Sequence, residues 1–329
     1  MQASRIRSLV TMLVMLCVAG FANSPHSTFA NSLSILAADY QLNRIGRYDA
    51  ATGASLGTFA LVHGPNEMLL GPDGKLYVTS VGTVIADPHS IIRFDPASGQ
   101  NLGVFASGPS LRGFDFGPNG NLFAADVNSG SIMEFDGQTG ASLGTFISGL
   151  NSPIAVRFGP SGDMYVARGH HESSSTYNVL RFDGLTGASK GVFASIGMQN
   201  PQNLLFGPEG DLYVANQRVT LTGIRNVTRY DGVTGALDSS FVVSGSRINS
   251  QGLAFLPSGE LLVGSGGNSI RRYDATTGAF IDDFIQGGLF FGGVVLVPEP
   301  STYVMAAMGL VVLLVARRRK LRRMQRDLP

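Results

Sequence analysis

The chain is poor in cysteine, tryptophan and charge. Cys17 is the sole cysteine among 329 residues, and tryptophan is absent. One cysteine excludes a disulfide framework and any cysteine-built zinc cluster. Charged residues make up only 14% of the chain, and the formal net charge is +1. Between residues 31 and 298, 15 basic residues face 21 acidic ones, so the body of the chain is mildly acidic. No basic stripe with interleaved aromatics occurs, which argues against a nucleic-acid partner. The G-x-S-x-G, H-E-x-x-H and Walker sequences are also missing. A hydrophobic fraction of 44% excludes a disordered chain. Glycine, at 43 residues, is the abundant type.

The two ends hold the basic excess. Arg5 and Arg7 precede an apolar run from Leu9 to Phe21, which is too short and wrongly flanked for an ordinary span. This is the pattern of a secretory signal peptide, with cleavage expected after Ala30 or, alternatively, after Ala22. Signal peptidase would be the first partner, and Cys17 would leave with the peptide. At the other end, Val297-Pro298-Glu299-Pro300-Ser301-Thr302 is followed by an apolar stretch from Tyr303 to Ala316. A basic run, Arg317-Arg318-Arg319-Lys320, closes it, and further basic residues extend to Arg326. Fourteen apolar residues make a short transmembrane helix, since a full span takes about 20. The basic run sets its cytoplasmic end. A single-pass stop-transfer helix is the alternative reading.

The order of motif, short apolar helix and Arg cluster resembles the PEP-CTERM sorting signal, over residues 297–329. The resemblance implies recognition of Val297, Pro298, Glu299 and Pro300 by an exosortase-type transpeptidase. It also implies export across the inner membrane, transient anchoring, and a destination at the cell surface or in the extracellular matrix.

The body between the ends is a repeat. An aromatic residue, Asp, two variable residues, Thr or Ser, and Gly recur six times, with the aspartates at Asp49, Asp95, Asp136, Asp183, Asp231 and Asp274. Ten residues after each Asp stands a phenylalanine: Phe59, Phe105, Phe146, Phe193, Phe241 and Phe284. The second motif is Gly-Pro-x-Gly, at Gly71, Gly117, Gly159 and Gly207, with the variant Leu256-Pro257-Ser258-Gly259. Pro at the second turn position and Gly at the fourth suit a type I turn. The motif aspartate suits a turn cap, accepting from the backbone N–H two residues on. Apolar runs on either side of these turns read as strands.

Each unit therefore supplies four strands, a to d, which is a β-propeller blade. The chain enters the repeat at strand b, near Ile35. It ends on an a-like strand, Gly293 to Pro298, which aligns with Gly252 to Pro257. The expectation is an all-β, six-bladed propeller over residues 31–298, closed by a composite N- and C-terminal blade. The segments Ala38-Asp39…Asn43-Arg44-Ile45 and Ala125-Asp126…Asn128…Ile132 resemble the NHL-repeat family. Gly71-Pro72-Asp73-Gly74-Lys75-Leu76-Tyr77-Val78 is similar to gluconolactonase-like and streptogramin-lyase propellers.

The b–c loops and the start of each strand a share one face, and three b–c loops are long. Residues expected on that ligand-binding face are Glu67, Arg112, Arg168, His170, His171, Asn203 and Gln251. Gluconolactonase-like enzymes hold a divalent metal at the channel mouth. By that resemblance Glu67, Asn203 and either Asp126 or Asp39 are candidate ligands for calcium or another divalent cation. Polar channel residues holding water are the plainer reading. Ser173-Ser174-Ser175 beside the histidine pair suits a solvated loop. The chain is thus expected to be a non-catalytic module for a surface ligand, a polysaccharide or a protein. The alternative is a metal-dependent lactonase-like hydrolase or a lyase.

Overall fold

A computed structural model describes residues 33–82, 89–169, 177–217, 227–241, 243, 250–265, 269–288 and 291–299. The signal-peptide segment, the apolar stretch 303–316 and the basic run 317–326 lie outside the described residues, as do His170 and His171.

All regular structure in the described residues is β. Strands β1 (Leu33–Asp39), β2 (Arg44–Asp49) and β3 (Ser55–Leu61) open the chain. The second blade follows as β4 (Pro65–Leu70), β5 (Leu76–Ser80), β6 (His89–Phe94) and β7 (Asn101–Gly108). The third is β8 (Leu111–Phe116), β9 (Leu122–Asp126), β10 (Ser131–Phe135) and β11 (Ser142–Ile147). The fourth is β12 (Pro153–Phe158), β13 (Met164–Arg168), β14 (Asn178–Phe182) and β15 (Ser189–Ala194). The fifth holds β16 (Pro201–Phe206), β17 (Leu212–Asn216) and β18 (Val227–Tyr230). The sixth is β19 (Ser250–Phe255), β20 (Leu261–Ser265), β21 (Ser269–Tyr273) and β22 (Phe280–Gln286). The last strand, β23 (Phe291–Pro298), returns to pair with β1. The first blade is thus β23-β1-β2-β3, built from both ends of the repeat region. Six sheets arranged this way form a six-bladed propeller, as expected.

One blade departs from the expected plan. The repeat places strand d of the fifth blade at Ala236 to Phe241, by alignment of its Asp231-to-Phe241 segment with the other copies. Among the described residues it is reduced to a single bridge, Tyr230 to Leu237. A turn at Asp238 explains this, and not a missing glycine alone, since the sixth blade has Asp282 at the glycine position and keeps β22. The outer strands of the first four blades carry a positive-φ glycine at the bulge, at Gly57, Gly103, Gly144 and Gly191. The fifth blade has Ser239 there. Its neighbour Asp238 turns the chain instead, accepting from Ser240 N at 2.8 Å and from the Ser240 hydroxyl at 2.6 Å.

The core lies between blades. Six buried clusters fill the six junctions. In the run from blade two to blade six, an aromatic on strand b is the shared knob. Tyr77 meets Phe105 of its own blade and Phe116 of the next, both edge-on at 5.0 Å. Phe123, Tyr165 and Tyr213 repeat this arrangement. Edge-to-face packing adds to the burial of such rings. At the two junctions of the composite blade, the equivalent strand-b residues are aliphatic, Leu262 and Leu36.

The six motif aspartates cap their turns. Asp49 Oδ1 accepts from Ala51 N, Thr52 N and the Thr52 hydroxyl at 3.1, 2.8 and 2.7 Å. The threonine bonds hold the carboxyls of Asp49, Asp136, Asp183, Asp231 and Asp274 below their ordinary range. At Asp95 the Lys75 ammonium is the larger cause, and the pKa falls to about 2.

The motif glycine explains the phenylalanine spacing. Gly140 has φ +73°, and a Cβ there would stand 1.8 Å from the carbonyl oxygen of Phe105 in the preceding blade. Gly53, Gly99 and Gly235 meet Phe284, Phe59 and Phe193 in the same way. Glycine and phenylalanine are the two sides of one inter-blade contact. A left-handed non-glycine residue costs about 1–3 kcal/mol before any clash. Gly140→Ala should therefore lower the thermal midpoint by roughly 5 °C or more, at about 2–4 °C per kcal/mol. A differential scan showing no shift would contradict this packing.

Candidate functional site

The inner strands β23, β4, β8, β12, β16 and β19 surround the axis, each next to its neighbour. Small residues let them approach. A Cβ on Gly252 would meet Gly292 O at 2.1 Å, and one on Gly113 would meet Ile154 O at 2.7 Å. At the third position of the strand, counting from its start, four blades carry Gly113, Ala155, Gly252 and Gly293. The other two carry Glu67 and Asn203, on blades opposite each other. Both are 5% exposed, and they meet across the axis: Asn203 Nδ2 donates to Glu67 Oε2 at 2.8 Å.

A third residue joins them. Arg157 on β12 forms an ion pair with Glu67 Oε1 through Nη2, which also donates to Asn203 Oδ1 at 3.4 Å. Its Nη1 donates to the carbonyls of Phe114 and Val156 at 2.8 and 3.1 Å. Asp115 on β8 stands at the equivalent strand position of the neighbouring blade. Its carboxylate accepts from Phe158 N at 2.9 Å and Phe116 N at 2.8 Å. Four consecutive blades thus send one polar side chain each to the hub.

Burial pushes the Glu67 carboxyl up, against the pull of Arg157. Burial also pushes Asp115 up, again opposed by Arg157. For Arg157 burial works against the cation, but the two carboxylates outweigh it and its pKa is raised. The guanidinium stays charged, and the two carboxylates compete for it.

Sequence reading found Glu67 and Asn203 and missed Arg157 and Asp115. For Arg157 the signal was a charged residue in an otherwise apolar inner strand, Pro153-Ile154-Ala155-Val156-Arg157-Phe158; Asp115 shares its strand with Arg112 and was less conspicuous. The opposite charges of Arg157 and Asp115 fall at the same position of adjacent blades.

The remaining expected residues lie apart from this hub. Asp126 is 1% exposed, and its Oδ1 caps the turn after β9, accepting from Asn128 N and Ser129 N at 3.1 and 3.3 Å. Asp39 does likewise, accepting from Leu42 N at 3.1 Å. Arg168, at the end of β13, donates from Nε to Asn178 Oδ1 at 2.6 Å. Arg112 and Gln251 occupy the second position of β8 and β19, at the b–c end of the axis.

A divalent cation needs several converging oxygen ligands. Both Glu67 oxygens are already taken, one by a guanidinium, and Asn203 turns its nitrogen toward that carboxylate. Among the described residues, no group of three or more His, Cys, Asp or Glu is placed to hold a metal ion. As placed, Glu67, Asn203 and Asp126 do not fit a divalent cation: Arg157 supplies the positive charge beside the first two, and Asp126 lies apart at its own turn.

The far end of β23 carries the second functional feature. β23 runs to Pro298, and Glu299 follows directly. Residues 296–320 match the model of the PEP-CTERM protein-sorting motif. The chain carries a PEP-CTERM sorting signal. Its first residues, Leu296, Val297 and Pro298, belong to the ring itself, and Val297 is fully buried. The PEP-CTERM motif implies export, membrane anchoring for sorting, and processing by exosortase-type machinery.

No curated protein matches the chain. Solved structures do. A chain in the crystal structure of a nidogen/laminin complex is 14% identical with a TM-score of 0.63, covering 80% of this chain and 98% of that one. A putative 6-phosphogluconolactonase from Bacteroides uniformis is 16% identical with a TM-score of 0.55, covering 81% and 100%. A Bacteroides caccae protein of unknown function is 14% identical with a TM-score of 0.59, covering 82% and 100%. At these identities the likeness is one of fold.

Proposed function

We propose that this chain is an exported propeller that binds a ligand or partner without catalysis, on the face where the b–c loops and inner-strand starts meet. Its PEP-CTERM signal would deliver it to the cell surface or extracellular matrix. The observation that carries this reading is the Glu67–Arg157–Asn203 hub. In a metal-dependent hydrolase on this scaffold, these positions would hold the cation that polarises the substrate. Here an arginine provides that charge, and it is fixed by four hydrogen-bonded partners. A buried guanidinium so held has no open position for substrate. The likeness to a putative 6-phosphogluconolactonase adds the fold and not its chemistry.

The test is to offer the purified chain glucono-1,5-lactone with calcium, magnesium or manganese. The binding-module reading expects hydrolysis no faster than in buffer. Cation-dependent turnover lost in Glu67→Gln would establish the hydrolase instead.

A further inference from the structure

Arg112 stands out among the cations of the ring. Nine of the ten described arginines have an ion pair, a guanidinium hydrogen bond or an aromatic ring beneath them. Both described lysines, Lys75 and Lys190, are paired. Among the described residues Arg112 has no such partner, and its Nε is buried without a hydrogen bond. Removing part of a guanidinium from water without a compensating anion is costly. Burial accordingly lowers its pKa, with Tyr40 opposing the shift. The residue remains a cation at neutral pH, since an arginine's ordinary value lies far above it.

The surroundings place this cation at the b–c end of the axis. Arg112 interacts electrostatically with Tyr40, in the turn between β1 and β2, and with His89, at the start of β6. The His89 ring is itself anchored, with Nδ1 2.8 Å from Leu111 O. Directly across the axis, blade six carries Gln251 at the equivalent strand position. It is 9% exposed, and its Oε1 is buried without a hydrogen-bond partner among the described residues. Further along the strands, Glu67, Arg157 and Asn203 close the axis. Among the described residues, the same end of the ring therefore holds an unmet donor that is cationic and an unmet acceptor that is neutral.

A ligand that answers both brings an anionic acceptor and a hydroxyl donor. A planar carboxylate matches the guanidinium fork. A single positive charge, with Glu67 and Asp115 deeper along the axis, favours a monoanion over a phosphate dianion. We propose that Arg112 anchors the carboxylate of a hydroxylated monocarboxylate, with Gln251 accepting a hydroxyl hydrogen from the same molecule. This assignment rests on the binding-module reading and names the ligand chemistry of its face.

The experiment is calorimetric titration of the full chain, purified in detergent, with glucuronate, glucose and inorganic phosphate as probes. Glucuronate is expected to bind, with glucose and phosphate each at least about tenfold weaker, the worth of one charge-assisted pair. Arg112→Gln should weaken glucuronate by a similar factor, and Gln251→Leu severalfold. Because Arg112 has no partner among the described residues, Arg112→Gln should keep or raise the thermal midpoint, so loss of binding in a stable variant speaks for a contact. The assignment is overturned if glucuronate gives no heat, if glucose or phosphate binds as well as glucuronate, or if Arg112→Gln binds unchanged. Metal-dependent lactone turnover would sink the binding-module reading. Absent glucuronate binding without turnover would sink only the Arg112 assignment.

Discussion

A chain ending at Phe290 should unfold at least about 10 °C below one ending at Pro298, by the valine burial and midpoint scaling that follow. The difference between the two is β23, the inner strand of the composite blade. It pairs with β1 from Leu33–Pro298 through Asp39–Phe291. It also lies beside the inner strands β4 and β19 of both neighbouring blades. Val297 packs with Leu36, Met68 and Val78 at one junction, and Val294 packs with Ile35 and Ala254 at the other. Burying each valine is worth about 1.5–3 kcal/mol, and each kcal/mol moves the midpoint by about 2–4 °C. The loss of the β1 ladder adds to this and exposes a sheet edge. Equal melting curves for the two chains would show that the ring does not depend on β23. The same contact constrains sorting. Because the PEP-CTERM motif begins inside β23, processing that leaves a folded propeller must cut beyond Pro298.

Replacing Arg157 by methionine should cost about 3–5 kcal/mol, the range for stranding a buried charge by removing its partner. Glu67 loses its ion pair and Asp115 its neighbouring cation. The deficit should depend on pH. The folded-state pKa values of both carboxyls are raised, so their contribution to stability is fully present below the unfolded values, near about 4. It is lost as pH rises through the folded values. Without Arg157 those values rise further. Urea unfolding should therefore show a larger deficit at about pH 7 than near pH 4. Adding Glu67→Gln to Arg157→Met should recover part of the loss at neutral pH. A pH-independent deficit, or no recovery, would mean that the methionine acts through packing alone.

The legibility of the fold came from contacts that repeat. The motif glycine and the phenylalanine of the preceding blade meet again and again around one ring, so both recur at fixed spacing in the sequence. The capped aspartates are local, with donors two and three residues away, and were readable as turns for that reason. The fifth outer strand departs from the repeat among the described residues, because Asp238-Ser239-Ser240 turns the chain where four other blades place a bulge glycine. The hub was half legible. Glu67 and Asn203 stand out as polar residues where the other blades are small. Arg157 lies 90 residues from Glu67, and nothing local announces that pair. Arg112 was visible as a polar residue at the axial end, but that no described residue pairs with it is a fact of three-dimensional packing.

In the reading proposed above, Arg157 fills the hub of the propeller and leaves no place there for a metal ion. The most direct measurement is calorimetric titration of the purified chain with calcium, magnesium and manganese, beside Glu67→Gln. No saturable heat that distinguishes the two proteins is expected. Tight cation binding to the unaltered chain, abolished by Glu67→Gln, would contradict this reading.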